Sequence, residues 1–475
     1  MNEVLPRLHE LFLQTLRNYP ETVAWNGENI NNSGIFYQSA HDLFETLLQN
    51  GDNGAFIAKV KETTYASNLT PDTHTFIGAV YAGSAAHLMA RGDAVAARRL
   101  AEEAVSYSQF DLFAQNTIIK ANHAINPAAR SLEETEEWLK TRFCMRPFTM
   151  LETASTGEVY RCCPSYLPVS TGTFADVEKN GLEALLDSPT AQALRNSILD
   201  GSFRHCSKLY CPFIGSRTLM SREEGLEKIQ AASLYPEEVF FSHDVSCNLS
   251  CPSCRTHKMV IPKDQQDKFD ALSEKMLVPL TRRAKSVSIC GSGDPFASIH
   301  FRNLLINYCR AATKKERKLA LQTNGVLCDK KAWDNIGLYG HVSRVAVSVD
   351  AAQESTYAIV RRDGNFGRMR ENMRFLSDLR RTGEFDSLTI CFVVQALNFR
   401  EMPDFVRWGA ELGVDAVVFS QLRNWSTFSP AEYNNHNVLS RAHPEHGALL
   451  DVLKDPLLDS PFVNMSDVGN LRAAA

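Results

Sequence analysis

The chain has 475 residues, of which 44% are hydrophobic and 22% are charged, and its formal net charge is −5. This length predicts two or three domains, and the composition is that of a soluble globular protein with a substantial core. The acidic balance gives no general argument for nucleic-acid binding, and no apolar stretch approaches a membrane span. The first residues, Met1–Pro6, lack the basic start and apolar core of a signal peptide, so we expect a cytoplasmic protein without a membrane partner.

Residues 1–130 predict an all-α N-terminal domain. Short amphipathic runs cover Leu5–Arg17 and His41–Leu48. The clearest unit is a helical hairpin over Phe76–Ala90 and Ala94–Ser106, in which Gly92 ends the first helix. The hairpin resembles a tetratricopeptide repeat, but such arrays usually need three or more repeats, so a plain helical bundle stays an equal alternative. A helical domain of either kind is suited to bind a partner or a peptide substrate.

Residues 131–220 are expected to form a small α+β module that is rich in cysteine. Alternating residues in Thr149–Glu152 and Glu158–Cys163 predict a β-hairpin, and Leu182–Leu199 predicts a helical segment. The module contains a set of four thiolates, which suits either a fully ligated iron–sulfur cluster or a zinc ion. The four are Cys144, Cys162 or Cys163, Cys206 and Cys211.

Residues 237–425 show a regular alternation of strands and helices. Six β/α repeats predict a parallel sheet with right-handed crossovers, followed by a helical tail over 426–475. The predicted strands are Val239–Val245, Ser286–Cys290, Leu319–Thr323, Val342–Val349, Leu388–Val394 and Ala416–Ser420. The predicted helices are Asp267–Arg283, Phe301–Lys314, Lys330–Leu338, Phe366–Arg381 and Glu401–Leu412.

Three cysteines follow the first of these strands in the sequence CNLSCPSC. Cys247, Cys251 and Cys254 have the spacing C-x3-C-x2-C and lie on a loop. Three thiolates on a compact loop can hold three corners of an iron–sulfur cube and leave the fourth iron open. The alternative is a zinc site, in which His243 or His257 supplies the fourth ligand. The chain has twelve cysteines. Because we expect a cytoplasmic protein, we predict that these cysteines are metal ligands and core thiols rather than disulfides.

Polar residues also follow the next four strands, where the ligand of a parallel α/β protein is expected. The segment Cys290–Phe296 contains two glycines after a strand, but Phe296 stands where a dinucleotide-binding motif needs its third glycine. That reading therefore fails. The candidate binding residues after these strands are Gly291, Ser292, Gly293, Asp294, Thr323, Asn324, Ser348, Asp350, Arg361 and Gln395.

The sequence CNLSCPSC resembles the cluster loop of the radical S-adenosylmethionine (SAM) enzymes. The resemblance continues in order along the chain: Gly291–Pro295 is similar to the family's GGEP element, Thr323–Gly325 to its T-N-G turn, and Ser348–Arg361 to its S-x-D and Y-x3-R pattern. It implies a partial (β/α)6 barrel with a [4Fe–4S] cluster on the three cysteines and SAM on the open iron.

The resemblance also implies roles for the residues at the strand ends. Backbone carbonyl groups of the Gly291–Asp294 segment accept hydrogen bonds from the SAM ammonium. Glycine has no side chain, so the backbone there can come close to SAM. Ser348 and Arg361 hold the SAM carboxylate, and Asp350 reaches the ribose side or the substrate. Gln395 is a further polar contact.

The cysteine-rich module before the barrel resembles the SPASM or twitch auxiliary-cluster modules of radical SAM enzymes. The matching elements are Cys144, the Gly157-x4-Cys162 spacing, Leu182–Pro189 and the segment from Arg195 to Cys206. The glycine spacing favours Cys162 over Cys163 as the ligand. The module departs from the family by preceding the barrel and by having few downstream cysteines, so the resemblance implies one auxiliary [4Fe–4S] cluster.

The implied function is reductive cleavage of SAM to a 5′-deoxyadenosyl radical that abstracts hydrogen from a substrate. The substrate is expected to be a peptide or protein, or a sugar-like metabolite, and the enzyme is of oxidoreductase or transferase type. A flavodoxin- or ferredoxin-type reductant is implied, and nucleic acid is disfavoured as a partner. The alternative is a zinc- or iron–sulfur-stabilised binding or electron-transfer protein on a degenerate barrel.

Overall fold

The computed structural model describes residues 71–107, 111–155, 157–230, 233–289, 292–311, 316–425 and 427–469. The predicted helices Leu5–Arg17 and His41–Leu48 lie outside the described residues, as do Cys290 and Gly291. The described chain forms two compact units. One unit takes residues up to 147 with 160–171 and 187–232, and the other takes 148–159, 172–186 and residues from 233 onward.

The strands of the described chain are numbered in chain order. They are β1 Arg142–Phe143, β2 Met150–Thr153, β3 Glu158–Tyr160, β4 Ser170–Thr173, β5 Met220–Ser221, β6 Glu238–Phe241, β7 Ser286–Ile289, β8 Leu319–Thr323, β9 Val342–Ser348, β10 Ser387–Val394, β11 Ala416–Gln421 and β12 Val463–Asn464.

The described part of the first unit begins with a helical array and contains the two-stranded antiparallel pair of β1 with β5. The predicted hairpin near residue 92 is confirmed, and Gly92 adopts a φ of 84° between its helices, a left-handed conformation that favours glycine. The unit's helices are Pro71–Ala90, Ala94–Tyr107, Leu112–Ile125, Leu132–Lys140, Pro189–Leu199, Pro212–Gly215 and Arg222–Ile229.

A ten-stranded sheet organises the second unit, in the order β12-β11-β10-β9-β8-β7-β6-β2-β3-β4. All pairings from β12 through β6 to β2 are parallel. Buried valine, isoleucine, leucine and phenylalanine side chains from these strands and the surrounding helices form one core cluster. The carboxyl ends of the parallel strands therefore meet at one edge of the sheet, where ligands of parallel α/β folds bind.

Helices connect the parallel strands, as the sequence predicts. The segment predicted as one helix over Asp267–Arg283 begins earlier and contains a π-helical stretch, Ser273–Leu277. The second unit's helices are Phe174–Asn180, Leu182–Leu186, Lys263–Leu272, Val278–Arg283, Ile299–Ala311, Lys330–Ile336, Glu354–Val360, Phe366–Arg381, Met402–Leu412, Pro430–His436 and His446–Val452. Its 3-10 turns are Phe399–Glu401, Pro456–Asp459 and Ser466–Val468, and the short helix Arg146–Thr149 precedes β2.

Three features of the sheet differ from the prediction. The first barrel strand ends at Phe241 rather than at Val245, because Ser242–Ser246 leave the sheet to carry the cysteine loop. The tail contains a short strand, β12, which pairs with β11, although no strand was expected there. The hairpin strand β2 pairs in parallel with β6, so part of the predicted cysteine-rich module extends the barrel sheet.

The predicted helical segment Leu182–Leu199 consists of two helices. Leu182–Leu186 ends before Asp187, and Ser188 caps Pro189–Leu199 by accepting a hydrogen bond from the Ala191 N–H at 3.3 Å. In the described part of the chain, no helix is both long enough and apolar enough to cross a bilayer.

Candidate active site

The cysteine loop is an ordered turn at the carboxyl end of β6. The Cys247 N–H donates to the Met259 carbonyl at 2.9 Å, and the Ile261 N–H donates to the Ser246 hydroxyl at 3.1 Å. The Cys254 N–H donates to the Cys251 carbonyl at 2.9 Å. These bonds join both ends of the loop, so that the three cysteines lie on one short closed segment.

The three cysteines are free thiols that differ in exposure. Cys251 is buried, Cys247 is half-buried and Cys254 is exposed. Burial raises the pKa of Cys247 to about 11 and also raises the pKa of Cys251, so both thiols are neutral at neutral pH in the metal-free protein. As the free thiols stand, no group of three or more His, Cys, Asp or Glu side chains in the described chain is arranged to hold a metal ion. Metal binding therefore requires the sulfurs to converge and lose protons.

Each sulfur of the triad accepts a hydrogen bond from a different side chain. Asn324 and Arg361 are donors that the sequence already predicted as binding residues, whereas Arg255 was not predicted. The three contacts are Asn324 Nδ2 to Cys247 Sγ at 3.7 Å, Arg361 Nη1 to Cys251 Sγ at 3.7 Å, and Arg255 Nη2 to Cys254 Sγ at 3.3 Å. Donors of this kind stabilise negative charge on sulfur.

The Ser292–Asp294 segment packs directly on the chain that leads into the cysteine loop. A Cβ at Gly293 would lie 2.5 Å from the Asp244 carbonyl oxygen and 2.6 Å from the Ser246 carbonyl oxygen. The Asp294 N–H donates to the same Ser246 carbonyl at 2.9 Å. Glycine is therefore required here for contact between two backbones of this chain, in addition to the predicted approach of a ligand.

The Asp294 carboxylate joins two turns of the site. It accepts hydrogen bonds from the Thr323 hydroxyl at 2.7 Å, the Asn324 N–H at 2.8 Å and the Phe296 N–H at 3.0 Å. Burial raises the pKa of Asp294, and these hydrogen bonds oppose the rise. The side chain fixes the turn after β8 against the segment after β7, and Asn324 Nδ2 then also reaches Asn248 Oδ1 at 2.9 Å.

Asp350 and Arg361 form a buried ion pair beside the cysteine loop. Arg361 Nη2 lies 2.7 Å from Asp350 Oδ2, and Asp350 Oδ1 accepts the Val393 N–H at 2.8 Å. The Nε of Arg361 and the hydroxyl of Tyr357 are buried and have no hydrogen-bond partner. The arginine predicted to hold a ligand carboxylate thus has an internal carboxylate partner and a buried Nε–H without a partner.

Ser348 and Gln395 lie at the same edge of the sheet. Ser348 is the last residue of β9 and pairs with Cys391 of β10, and Gln395 directly follows β10. The main chain of Gln395 is held by Asn398, whose Oδ1 accepts its N–H at 2.8 Å. Gln395 is buried, whereas Ser348 is half-buried.

The four cysteines of the predicted auxiliary site are gathered within the first unit and influence one another's ionisation. Burial raises the pKa of Cys144 to about 12 and that of Cys162 to about 11. A negative charge on Cys162 raises the pKa of both Cys144 and Cys206, and a negative charge on Cys163 raises the pKa of Cys211. A hydrogen bond from Arg146 to Cys162 acts in the opposite direction.

A buried chain of hydrogen bonds beside the cysteine loop was not predicted from sequence. It runs from Thr153 Oγ1 to His243 Nδ1 at 2.8 Å, from His243 Nε2 to His300 Nε2 at 3.1 Å, and from His300 Nδ1 to Asp270 Oδ1 at 2.6 Å. Because both ring nitrogens of His243 are engaged, this histidine is not free to serve as the fourth zinc ligand considered above. His257, the other candidate, is exposed and contacts Thr256 Oγ1 at 3.0 Å.

The fold is that of an α/β protein, and the candidate site lies at the carboxyl ends of β6–β10. Residues 241–409, a little more than a third of the chain, match the family model described as the Radical SAM superfamily. The matched region contains the cysteine loop and the turns after β7, β8 and β9. No curated protein matches the chain.

The chain is also similar to solved structures, at low identity. SuiB of Streptococcus suis bound to S-adenosylmethionine is 17% identical, with 44% of this chain and 46% of that chain covered and a TM-score of 0.31. The structure described as anSMEcpe with bound AdoMet and Cp18Cys peptide is 20% identical over 39% of this chain and 50% of that chain, with a TM-score of 0.29. The methyltransferase TsrM of Kitasatospora setae is 14% identical over 37% and 34%, with a TM-score of 0.28. The chain thus spans about half the length of the first of these.

Proposed function

We propose that this protein is a radical SAM enzyme that cleaves SAM reductively and abstracts hydrogen from an organic substrate. The proposal rests on one observation. The loop that contains Cys247, Cys251 and Cys254 lies beside the segments that follow β7, β8 and β9. Asn324, in the turn after β8, and Arg361, which follows the helix Glu354–Val360 after β9, contact two of the three sulfurs directly. A zinc site needs none of these turns.

The residues fit the cofactors on chemical grounds. The loop offers three free thiols, so a [4Fe–4S] cluster on them would keep one iron open for the amino and carboxylate groups of SAM. The unpartnered, buried Nε of Arg361 is a donor suited to a carboxylate. When bound, the cluster supplies the single electron that cleaves SAM to methionine and a 5′-deoxyadenosyl radical.

The chain's own residues position the reactants and exclude water. We assign the SAM ammonium to the backbone of the Gly291–Asp294 segment and the carboxylate to Ser348 and Arg361. Asp294 holds Thr323 and Asn324 in place, and Asp350 holds Arg361. Gln395 closes the same edge of the sheet from the next strand.

We further propose one auxiliary [4Fe–4S] cluster on Cys144, Cys162, Cys206 and Cys211. The proposal is supported by the position of all four thiols in one compact unit. Negative charges on the other three also raise the pKa of Cys206. The coupling of Cys162 to both Cys144 and Cys206 favours it over Cys163 as the fourth ligand. We assign this site to a SPASM- or twitch-like module that precedes the barrel.

A peptide or protein is the proposed substrate, and a sugar-like metabolite is the second candidate. The helical array that begins with Pro71–Ala90 and Ala94–Tyr107 favours the first, because stacked helical hairpins commonly bind peptides. The proposed reductant is a flavodoxin- or ferredoxin-type protein, and the proposed location is the cytoplasm.

The test is formation of 5′-deoxyadenosine. The wild type and a Cys247/Cys251/Cys254→Ala variant are purified and reconstituted anaerobically, then incubated with SAM and dithionite. We expect product from the wild type and none from the variant. An iron-loaded wild type that neither binds nor cleaves SAM would leave an iron–sulfur electron carrier as the better account, and a colourless zinc protein would leave a zinc-stabilised scaffold.

A further inference from the structure

Arg255 is a buried cation directly behind the third cysteine of the loop. Its side chain is 6% exposed. Nη1 donates to the Val245 carbonyl at 2.7 Å, while Nη2 donates to the Ser292 carbonyl and to Cys254 Sγ. The guanidinium therefore joins the chain that leads into the cysteine loop, the Ser292–Asp294 segment and the cysteine triad.

The charge of Arg255 has no carboxylate to balance it among the residues that the structure describes. Its acceptors are two carbonyl oxygens and one sulfur. A buried cation without a counter-ion is strongly unfavourable. The groups within its reach that become negative on metal binding are the sulfurs of the three cysteines, and Cys254 Sγ lies 3.3 Å from Nη2. The arrangement is balanced only when these cysteines are ionised, as they are when they bind a metal centre.

We propose that Arg255 is a positioning residue that supplies the fixed positive charge for the thiolate triad and so raises the reduction potential of the cluster held there. The inference rests on the proposed function. Adding one electron makes a thiolate-ligated cluster more negative. A fixed cation and N–H donors to sulfur stabilise that added charge and favour reduction.

The other sulfur donors act in the same direction but are placed differently. Arg361 shares its charge with Asp350, so its net contribution to the triad is smaller. Asn324 is neutral and contacts Cys247 at 3.7 Å. Arg255 therefore places a positive charge beside the triad that no carboxylate of the described chain compensates.

The chain offers a matched control in Arg362. This arginine is exposed and donates to the Ser250 hydroxyl at 2.9 Å and to the Thr256 carbonyl at 2.8 Å. It holds the same loop as Arg255 but donates to no sulfur of the triad. A variant at Arg362 thus removes an exposed cation that holds the loop but leaves every hydrogen bond to the sulfurs of the triad in place.

The experiment compares Arg255→Gln, Arg255→Lys and Arg362→Gln with the wild type after anaerobic reconstitution. Iron and sulfide are quantified, and the potential of the triad's cluster is measured by EPR-monitored redox titration in the Cys144/Cys162/Cys206/Cys211→Ala background. We expect Arg255→Gln to lower the equilibrium constant for one-electron reduction about tenfold, which is about 59 mV, or to lose the iron. Arg255→Lys should lie closer to the wild type on both measures, and Arg362→Gln should match it.

The outcomes separate this inference from the proposed function. Equal behaviour of Arg255→Gln and Arg255→Lys, in potential or in iron content, would show that the charge is not used and would overturn the inference. So would an Arg362→Gln variant that shifts the potential as much as Arg255→Gln. A wild type that takes up no iron would overturn the proposed function itself, which the cleavage assay detects independently.

Discussion

Arg361 and Asp350 form a buried ion pair in which Nη2 and Oδ2 are 2.7 Å apart. The pair does more than neutralise two charges, because it turns the guanidinium so that Nη1 reaches the sulfur of Cys251. Asp350 itself has a φ of 61°, a conformation that few residues other than glycine, asparagine and aspartate adopt readily. The arginine is thereby preorganised at the edge of the sheet before any ligand arrives.

The first prediction concerns this pair. Asp350→Asn keeps the shape and tolerates the left-handed backbone, but it leaves Arg361 buried without a counter-charge. We expect a loss of about 3–5 kcal/mol in the free energy of unfolding, measured by chemical denaturation. The double variant Asp350→Asn/Arg361→Gln should recover part of this loss. A single variant within about 1 kcal/mol of the wild type would contradict the assigned coupling.

Much of the barrel could be predicted because its strands carry a plain pattern. The strand Leu319–Thr323 was predicted residue for residue, and the helix Phe366–Arg381 likewise, since buried strands and amphipathic helices have distinct apolar periods. The tail strand β12 has two residues, too few to show any period. The pairing of β2 with β6 is a long-range contact, which local patterns do not encode.

The positions of the candidate site residues at the strand ends could be predicted from sequence, but the partners of their side chains could not. Spacing placed the cysteines and the turn residues at strand ends, where the topology brings them together. It did not reveal that the Asp294 carboxylate binds Thr323 and Asn324, or that a neighbouring Arg255 contacts Cys254. Such partners depend on side-chain directions in the folded chain, and an arginine next to a cysteine carries no pattern of its own.

The second prediction concerns Gly293. An added methyl group would meet the carbonyl oxygens of Asp244 and Ser246 at 2.5 and 2.6 Å, and both belong to backbone that cannot easily move. We expect Gly293→Ala to destabilise the fold by about 1–3 kcal/mol and to lower the iron bound after reconstitution. Thermal unfolding and iron analysis measure the two effects.

Gly447 is the control for this substitution. It lies in the helix His446–Val452, and a Cβ there would meet no atom within 4 Å. Gly447→Ala should be neutral or stabilise the protein by up to about 1 kcal/mol, because alanine favours helix. Equal melting temperatures for the two variants would argue against a close backbone contact at Gly293.

The third prediction concerns the pH dependence of stability at His243. Burial, with the neighbouring His300 as a smaller cause, holds the pKa of His243 well below 6.5. The folded protein therefore keeps this ring neutral while the unfolded chain takes up a proton near pH 6.5, so stability falls as the pH drops below that value. The groups that face the ring are His300, Thr153 and, through His300, Asp270.

A variant isolates this contribution. In His243→Gln the slope of the unfolding free energy against pH, taken between about pH 6.5 and 5, should decrease by up to about 1.4 kcal/mol per pH unit. The exposed His257→Gln should keep the wild-type slope. Denaturation series at several pH values measure both, and an unchanged slope in His243→Gln would rule out the buried neutral ring as the cause.

The last prediction separates the two proposed metal sites by their iron content. With one cluster on the loop and one on the auxiliary cysteines, the reconstituted wild type should bind about eight iron atoms. Cys162→Ala should remove about half of them, because Cys162 is coupled to both Cys144 and Cys206. Cys163→Ala is the matched control at the adjacent position and should keep the full content. Loss of iron in Cys163→Ala alone would reverse the ligand assignment, and loss in neither would remove the auxiliary cluster from the proposal while the triad Cys247, Cys251 and Cys254 stays intact.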